Sequence, residues 1–417
     1  MTSSPLNESR PIALEERSSL LDALRGFAII GVLADNLFGF TGWGFLAQAQ
    51  REALATWPAD GIIGLFEIAF VHGKFYSILS LLFGLGFSIQ LARNSQRGVN
   101  GLSVFYRRLL VLAIFGALHL VLLWEGDILL LYALTGMLLP LFLRCKDRTL
   151  LIWAIVLILS PMLIDSLRVL FNFSPGDFLF KQAKLIDEKN KLPTGDEVAG
   201  YLFTSENAWE HWRKWQEPGF FFRYGDLLNQ NRPLKVLGMF LFGLYAGRKL
   251  MYLRLADYIG LFRKLRKWGL IIGIPTGIAT AFYHIDHKGV PDRIGLLDTL
   301  FYTLSVVPLC LAYVSWFCLQ WLKTGGGTRW KWLIPFGRMT LTNYLMQTII
   351  CITIFYGVGF GLGGNMGPSL FIPIAIVIYL VQLFFSKWWL SHFNFGPFEW
   401  IWRMLTYWKW IPLKKKV

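Results

Sequence analysis

The sequence predicts an all-α, polytopic membrane protein: a bundle of about ten transmembrane helices with both termini in the cytoplasm. Three observations carry this. Of 417 residues, 55% are hydrophobic and only 16% charged, where a soluble domain carries about 25% charged residues; the mean hydropathy is +0.48. Ten apolar stretches recur, most of them near the roughly 20 residues that cross about 30 Å of hydrocarbon. The loops between them alternate between basic and nearly uncharged, the pattern of the positive-inside rule. The formal net charge of +15 is therefore read as cytoplasmic loops facing a lipid bilayer and not as a nucleic-acid surface. Met1–Ser19 is polar and mixed in charge, with no cleavable leader pattern. Cys145, Cys310, Cys318 and Cys351 show neither metal spacing nor a disulfide framework.

The first span, Leu20–Phe40, organises the rest. It is apolar yet contains Asp22, Arg25, Asp35 and Asn36, and ionisable groups inside a span tend to face protein or a wet cavity. Asp22 and Arg25 are three apart and can pair. Arg25 and Asn36 are eleven apart, close to three turns, and share a face. An amphipathic piece at Asp60–Phe70 precedes the second span, Val71–Leu91. Arg93, Arg97, Arg107 and Arg108 mark the next loop. The third span, Arg108–Trp124, turns through Glu125–Gly126–Asp127 into the fourth, which ends at Leu143. The fifth is Thr149–Leu170.

A hydrophilic insertion follows at Phe171–Asn231, with Trp209, Trp212 and Trp215 on one helical face. That face suits either a membrane interface or a packed extramembrane cap. The sixth span, Pro233–Gly247, is short. Trp268–His284 is the seventh, interrupted by Pro275, and Ile294–Leu322 the eighth. The glycine linker Thr324–Trp332 leads to the ninth, Leu333–Tyr356. The turn Gly357–Gly367 precedes the tenth, Leu370–Leu390. The domain reading is a cytoplasmic segment 1–19, one membrane domain 20–410 with an extracytoplasmic insertion at about 171–231, and a basic tail 411–417.

With this orientation the polar residues sort by depth. Arg25, Arg107, Arg108 and Arg338 lie toward the cytoplasm and suit an anionic ligand. Asn36, His72, Lys74, His119 and Asp127 lie toward the outside. A His held by a carboxylate can act as a general base, which makes His119 with Asp127 the first candidate and His72 the next. The structural alternative is a buried, satisfied His and an Asp serving as a helix cap. Lys74 either snorkels to the interface or contacts an anionic substrate or stabilises a developing oxyanion. Lys74, Trp124, Asn343 and Gln347 are candidate acceptor contacts; for Asn343 and Gln347, four apart on one face, interhelical hydrogen bonding is the alternative. Glu399 and Arg403 read as an i, i+4 ion pair in a cytoplasmic interfacial helix. No metal motif, phosphate loop or nucleotide fingerprint is present.

The segments LDALRGFAIIG, GKFYSILSLLFGLGF, the RRLL…LH…W.GDIL..YAL pattern, GRMTLTNYL.Q and FGPFEWIWR resemble the YeiB-like bacterial membrane proteins, a family catalogued as a domain of unknown function. The resemblance runs from Leu20 to about Tyr407 and implies a multi-pass protein of the bacterial inner membrane. More distantly, the first span is similar to that of the transmembrane acyltransferases. In the sugar O-acetylases of that group an Arg and a His stand in the first span with ten residues between them. Here Arg25 matches the Arg and Asn36 stands at the His position. That resemblance implies transfer of an acyl group from cytoplasmic acyl-CoA, such as acetyl-CoA, to an extracytoplasmic glycan or other sugar-type acceptor. Asn36 would then stabilise the developing oxyanion. The alternatives are a transporter of a small or amphipathic solute, with broken helices at Pro275 and Gly361–Gly364, and a non-catalytic envelope assembly protein; a homo-oligomer fits any of these.

Overall fold

The computed structural model describes residues 18–96, 98, 100–195, 197–287, 293–325 and 328–415. The N-terminal segment 1–17, Lys288 and the end of the tail therefore lie outside the described residues, as do the side chains of His284 and His287. Within the described residues the regular structure is all helix, apart from one isolated bridge between Phe393 and Lys414. Among the described residues, six helical stretches, fewer than the ten spans expected, are long and apolar enough to cross a membrane: Ser19–Phe40, Ala59–Gln96, Gly101–Leu122, Asp147–Phe171, Ile294–Lys323 and Pro368–His392.

Helix α1 (Ser19–Phe40) runs through the centre, with Leu24, Ala28, Ile29 and Leu33 buried. A short helix α2 (Gln48–Glu52) follows it. The second apolar region is two helices, α3 (Ala59–Phe70) and α4 (Lys74–Gln96), separated by a break at Val71–Gly73. α5 (Gly101–Leu122) starts at Asn100, whose side chain accepts from the backbone N–H groups of Leu102 and Ser103, an N-cap that satisfies two otherwise orphaned donors. α6 (Leu129–Gly136) is only a helical turn or two, continued by a 3-10 turn at Leu139–Phe142 that contains Pro140. α7 is Asp147–Phe171.

The insertion folds as three helices, α8 (Asp177–Asn190), α9 (Glu197–Leu202) and α10 (Ala208–Asn229). These cap the end of the bundle at which α1 terminates: Leu202 and Phe203 pack with Phe40, Trp43 and Tyr356. The glycine-rich turn fastens the same corner, since Gly357 N donates to Leu202 O and Gly364 N to Thr41 O. Trp215 packs edge-on against Phe45 and Trp212 is half-buried, while Trp209 is exposed. The tryptophan face is thus largely a packing surface of the cap.

α11 (Arg232–Arg248), α12 (Ile259–His287) and α13 (Arg293–Lys323) follow. α12 continues through Pro275 without interruption, contrary to the expected break. Thr276, next in sequence, adds a hydroxyl hydrogen bond to the Ile272 carbonyl in the turn beside the proline. The ninth span is α14 (Leu333–Arg338) and α15 (Thr340–Phe355), offset at Met339. α16 (Pro368–His392) and the amphipathic α17 (Pro397–Tyr407) complete the chain.

Membrane helices gain cohesion from close packing, because lipid tails are as apolar as leucine. The closest approaches here are made by glycine. A Cβ on Gly84 of α4 would lie 1.9 Å from Phe240 O of α11, and one on Gly243 of α11 would lie 1.9 Å from Leu81 O of α4. One on Gly337 of α14 would lie 1.7 Å from Asp22 O of α1. The Gly337 crossing seats α14 on α1, and the Gly84 and Gly243 crossings seat α11 on α4, which itself packs on α1.

Candidate functional site

α1 carries two polar centres, one at each end. Arg25 and Asp35 are ten residues apart, about 15 Å along the helix.

At the end away from the cap, a cavity of about 190 Å³ is lined by Arg25, Arg93, Arg108, Arg338 and Arg403, with the carboxylates Asp22 and Glu399. Arginine stays charged at any accessible pH, so the lining has a formal excess of three positive charges. Four of these guanidiniums are held by contacts of known geometry. Arg25 Nη1 donates to Asp22 Oδ1 at 2.7 Å. Arg108 Nη1 donates to Gln90 Oε1 at 3.1 Å, and its guanidinium lies 4.4 Å from the Trp402 ring centre. Arg338 Nη2 donates to Asn394 O at 3.1 Å, and the Arg403 guanidinium covers the Phe395 ring. Glu399, expected to pair with Arg403, accepts from the backbone N–H and hydroxyl of Thr342 at 3.0 and 2.6 Å, tying α17 to α15. An open cleft of about 840 Å³ adjoins and shares Ser18 and Tyr252 with the cavity. Of the expected basic residues, Arg25, Arg108 and Arg338 meet here. Arg107 does not line the cavity, because consecutive helical residues point about 100° apart.

At the cap end, the α3–α4 break places His72 against α1. The N–H groups of Val71 and His72 both donate to Glu67 O at 2.8 and 2.9 Å. Gly73 has φ +83°, and a Cβ there would also lie 2.4 Å from the Tyr302 hydroxyl. Only glycine makes this turn without strain. His72 Nδ1 then sits 2.8 Å from Asp35 Oδ1 and 4.0 Å from Glu67 Oε1. Lys74 is fully buried and donates to Ile68 O at 2.8 Å, so it closes the broken end of α3 and does not snorkel. Tyr302 faces His72 edge-on and holds Lys235 Nζ 4.4 Å from its ring centre, while Arg232 lies over Tyr76. Asn36 is half-buried beside Asp35. Asp35, Glu67 and His72 offer ligand atoms within 4.8 Å of one another, enough to hold a metal ion. Lys74 and Arg232 bring positive charge to the same centre, Lys74 facing Glu67 and Asp35 and Arg232 facing Asp35.

His119 and Asp127 do come together, with His119 Nδ1 at 2.9 Å from Asp127 Oδ2. But His119 Nε2 is also occupied, 2.8 Å from Thr348 Oγ1 on α15, and neither side chain exceeds 1% exposure. Asp127 Oδ1 accepts from Leu130 N at 2.8 Å, capping the start of α6. Both ring nitrogens and both carboxylate oxygens are used, so this pair fastens α5, α6 and α15 together. Trp124 stacks on Phe40 at 4.0 Å. Asn343 donates to Phe336 O and Ser386 Oγ, and Gln347 to Gln382 Oε1, whose own amide donates to Asn343 O. They form a hydrogen-bonded ladder between α15 and α16. Asp35, Glu67, Arg232, Lys235 and Tyr302, together with Arg93 and Arg403 at the other end, were not singled out as site residues from sequence. Their signal was charge or phenol within apolar helix, as for Glu67 in GIIGLFEIAF.

No solved structure matches the chain. Residues 246–409 match the family model described as a protein of unknown function, DUF418. YxaH of Bacillus subtilis (strain 168), an uncharacterized protein, is 32% identical over 99% of both chains. An uncharacterized 39.9 kDa protein in the amylase 3′ region of Bacillus acidopullulyticus is 30% identical over 97% of this chain and 98% of its own. The uncharacterized YeiB of Escherichia coli (strain K12) is 28% identical over 94% and 96%. With full-length relatives and a helical membrane bundle in common with the pattern of its motifs, the chain belongs to the YeiB-like DUF418 family of multi-pass membrane proteins.

Proposed function

We propose that this protein is an acyltransferase of the bacterial cytoplasmic membrane, with its arginine-lined end inside and its cap outside. The observation that supports this best is the arrangement on α1: an arginine-lined cavity at one end and a histidine–carboxylate pair about 15 Å along the same helix. The cavity suits the phosphates of an acyl-CoA such as acetyl-CoA, with the nucleotide in the adjoining cleft. Basic loops on the arginine side favour the same orientation.

His72 replaces His119 as the base in this reading, because the imidazole of His119 has no nitrogen to spare. Asp35 accepts from His72 Nδ1–H and so fixes the tautomer with Nε2 as the acceptor. Nε2 takes the proton of an acceptor hydroxyl or amine. The freed lone pair attacks the thioester carbonyl carbon, and Asn36 donates to its oxygen as charge develops. Collapse breaks the C–S bond, and the leaving thiolate takes the proton from the imidazolium. The product is the acylated acceptor and free CoA thiol.

The test is equilibrium binding of acetyl-CoA to the purified chain in detergent, comparing wild type with the double variant Asp22→Asn/Arg25→Gln, which removes the part-buried pair as a unit. Binding lost in the double variant and kept in His72→Gln supports the reading; no binding by folded wild type defeats it. A second reading, solute transport, is favoured by one observation: the half-helix α3 ends at a part-buried cluster of Asp35, Glu67 and His72, as in discontinuous transport helices. Flux into proteoliposomes without any acyl donor would support that reading instead.

A further inference from the structure

The cavity at the arginine end of α1 and the open cleft of about 840 Å³ beside it share Ser18 and Tyr252, yet they differ in chemistry. The cavity has five guanidiniums against two carboxylates. The cleft has one cation and one anion, Arg254 and Asp257, and these pair with each other at 2.7 and 2.8 Å. The rest of its lining is chiefly apolar. Leu20, Leu255 and Trp321 lie deep in it, Leu322 is half-buried, and Leu253 stands at the rim, 64% exposed. At the junction, Ser18 is the N-cap residue of α1, and its side chain makes no capping hydrogen bond. Asp22 N donates to Ser18 O, so the N–H groups of Ser19, Leu20 and Leu21 precede the first intrahelical bond. They add backbone donors to the arginine side, where an anion is already favoured.

A ligand that fills both spaces carries negative charge at one end and apolar surface at the other. The charge excess selects the head group. A carboxylate has one charge and occupies one guanidinium fork. A phosphate monoester has about 1.5 to 2 charges and three acceptor oxygens, which several guanidiniums can share. The cleft selects the tail. Its volume lies within the roughly 300–1,000 Å³ that hold a drug-sized molecule, and its single ion pair is already neutralised. The acyl-CoA reading uses the charge of the cavity and gives the leucines of the cleft no role. The walls of the cleft are the turn after α11 and the last turn of α13. It therefore opens at the end of two membrane helices, the level at which lipid head groups stand.

We infer that the cavity and the cleft form one site for a phosphate-headed lipid, with the phosphate among Arg25, Arg93 and Arg403 and the chain along Leu20, Leu253 and Leu322. The site goes beyond the acyltransferase reading and does not rest on it. The purified full-length chain in a nonionic detergent is titrated with 1-oleoyl lysophosphatidic acid, and the molecules retained are counted by native mass spectrometry. Monooleoylglycerol supplies the same chain without the phosphate, and glycerol 3-phosphate the same head without the chain. The expected result is one lysophosphatidate per chain, held at least tenfold more tightly than either control. Arg93→Gln/Arg403→Gln should weaken retention at least tenfold by removing contacts to the head, and Leu253→Gln should weaken it by placing an amide against the chain. Leu253 is exposed, so its exchange leaves the fold intact and keeps the test decisive if the arginine double variant does not fold. Lysophosphatidate held no more tightly than monooleoylglycerol, or held equally by Leu253→Gln, overturns the inference. Acetyl-CoA is titrated separately. Lipid retained without acetyl-CoA binding leaves this inference standing and defeats the donor reading of the previous subsection; acetyl-CoA bound without lipid does the reverse.

Discussion

Replacing His119 by Ala separates a structural role from a catalytic one. In the native chain His119 bonds Asp127 on one side and Thr348 on the other, and both side chains of the pair are sealed from solvent. The substitution leaves Asp127 Oδ2 facing a void with no donor. Removing one partner of a buried charged pair costs about 3–5 kcal/mol, and the Thr348 hydroxyl loses a bond worth about 1 kcal/mol. The loss is thus on the order of 4–6 kcal/mol, a large share of the 5–15 kcal/mol that holds a domain together. Asp127→Asn should be far milder. Its amide can donate to Nδ1, the tautomer flips, and Nε2–H then donates to Thr348, while Oδ1 still caps Leu130 N. The assay is thermal unfolding of the purified variants in detergent, alongside acetyl-CoA binding by the folded fraction. His119→Ala should melt well below wild type and Asp127→Asn close to it, with donor binding per folded molecule unchanged in both. A His119→Ala protein as stable as wild type but inactive in transfer would refute the reasoning and return the role of base to His119.

Other outcomes follow from the same geometry. Gly243→Ala, whose Cβ would press on Leu81 O, should separate α4 from α11 and cost at least about 1–3 kcal/mol, seen as a lowered melting temperature; Gly86→Ala, with open space at its Cβ, is the matched control. Asp187 on α8 has its carboxyl pushed up to about 6 by burial and, second, by the adjacent Glu188 charge. The folded cap holds that proton more tightly than the unfolded chain, so its stabilisation is present below about pH 4 and lost as pH rises through about 6. Limited proteolysis of the cap should therefore speed up over that interval in wild type and not in Asp187→Asn. In a cysteine-free background, an impermeant thiol reagent applied to intact cells should label Lys191→Cys in the cap and not Lys264→Cys on α12; the reverse would invert the proposed orientation.

The membrane class and the helix positions were legible in the sequence because they depend on local composition: each of the ten apolar stretches is occupied by helix. Several features were not. The break after Phe70 depends on Gly73 adopting a left-handed conformation against Tyr302, a contact more than two hundred residues away. Pro275 read as an interruption because proline removes a backbone bond, yet the helix continues. His119 and Asp127 were correctly expected to approach, since one tight turn joins their helices. What sequence could not reveal was Thr348, 229 residues on, which takes the second ring nitrogen.

By itself, then, the sequence determined the membrane bundle, its alternating loop charge and the presence of polar residues on α1, because hydropathy and helical period are properties of neighbouring residues. Only the tertiary structure decided which of those residues meet. Packing of α4, α5, α14 and α17 brings Arg93, Arg108, Arg338 and Arg403 around Arg25, and the α3–α4 break carries Glu67 and His72 to Asp35. Partners of a buried charge are chosen by backbone approach between distant segments, and no local pattern encodes that distance.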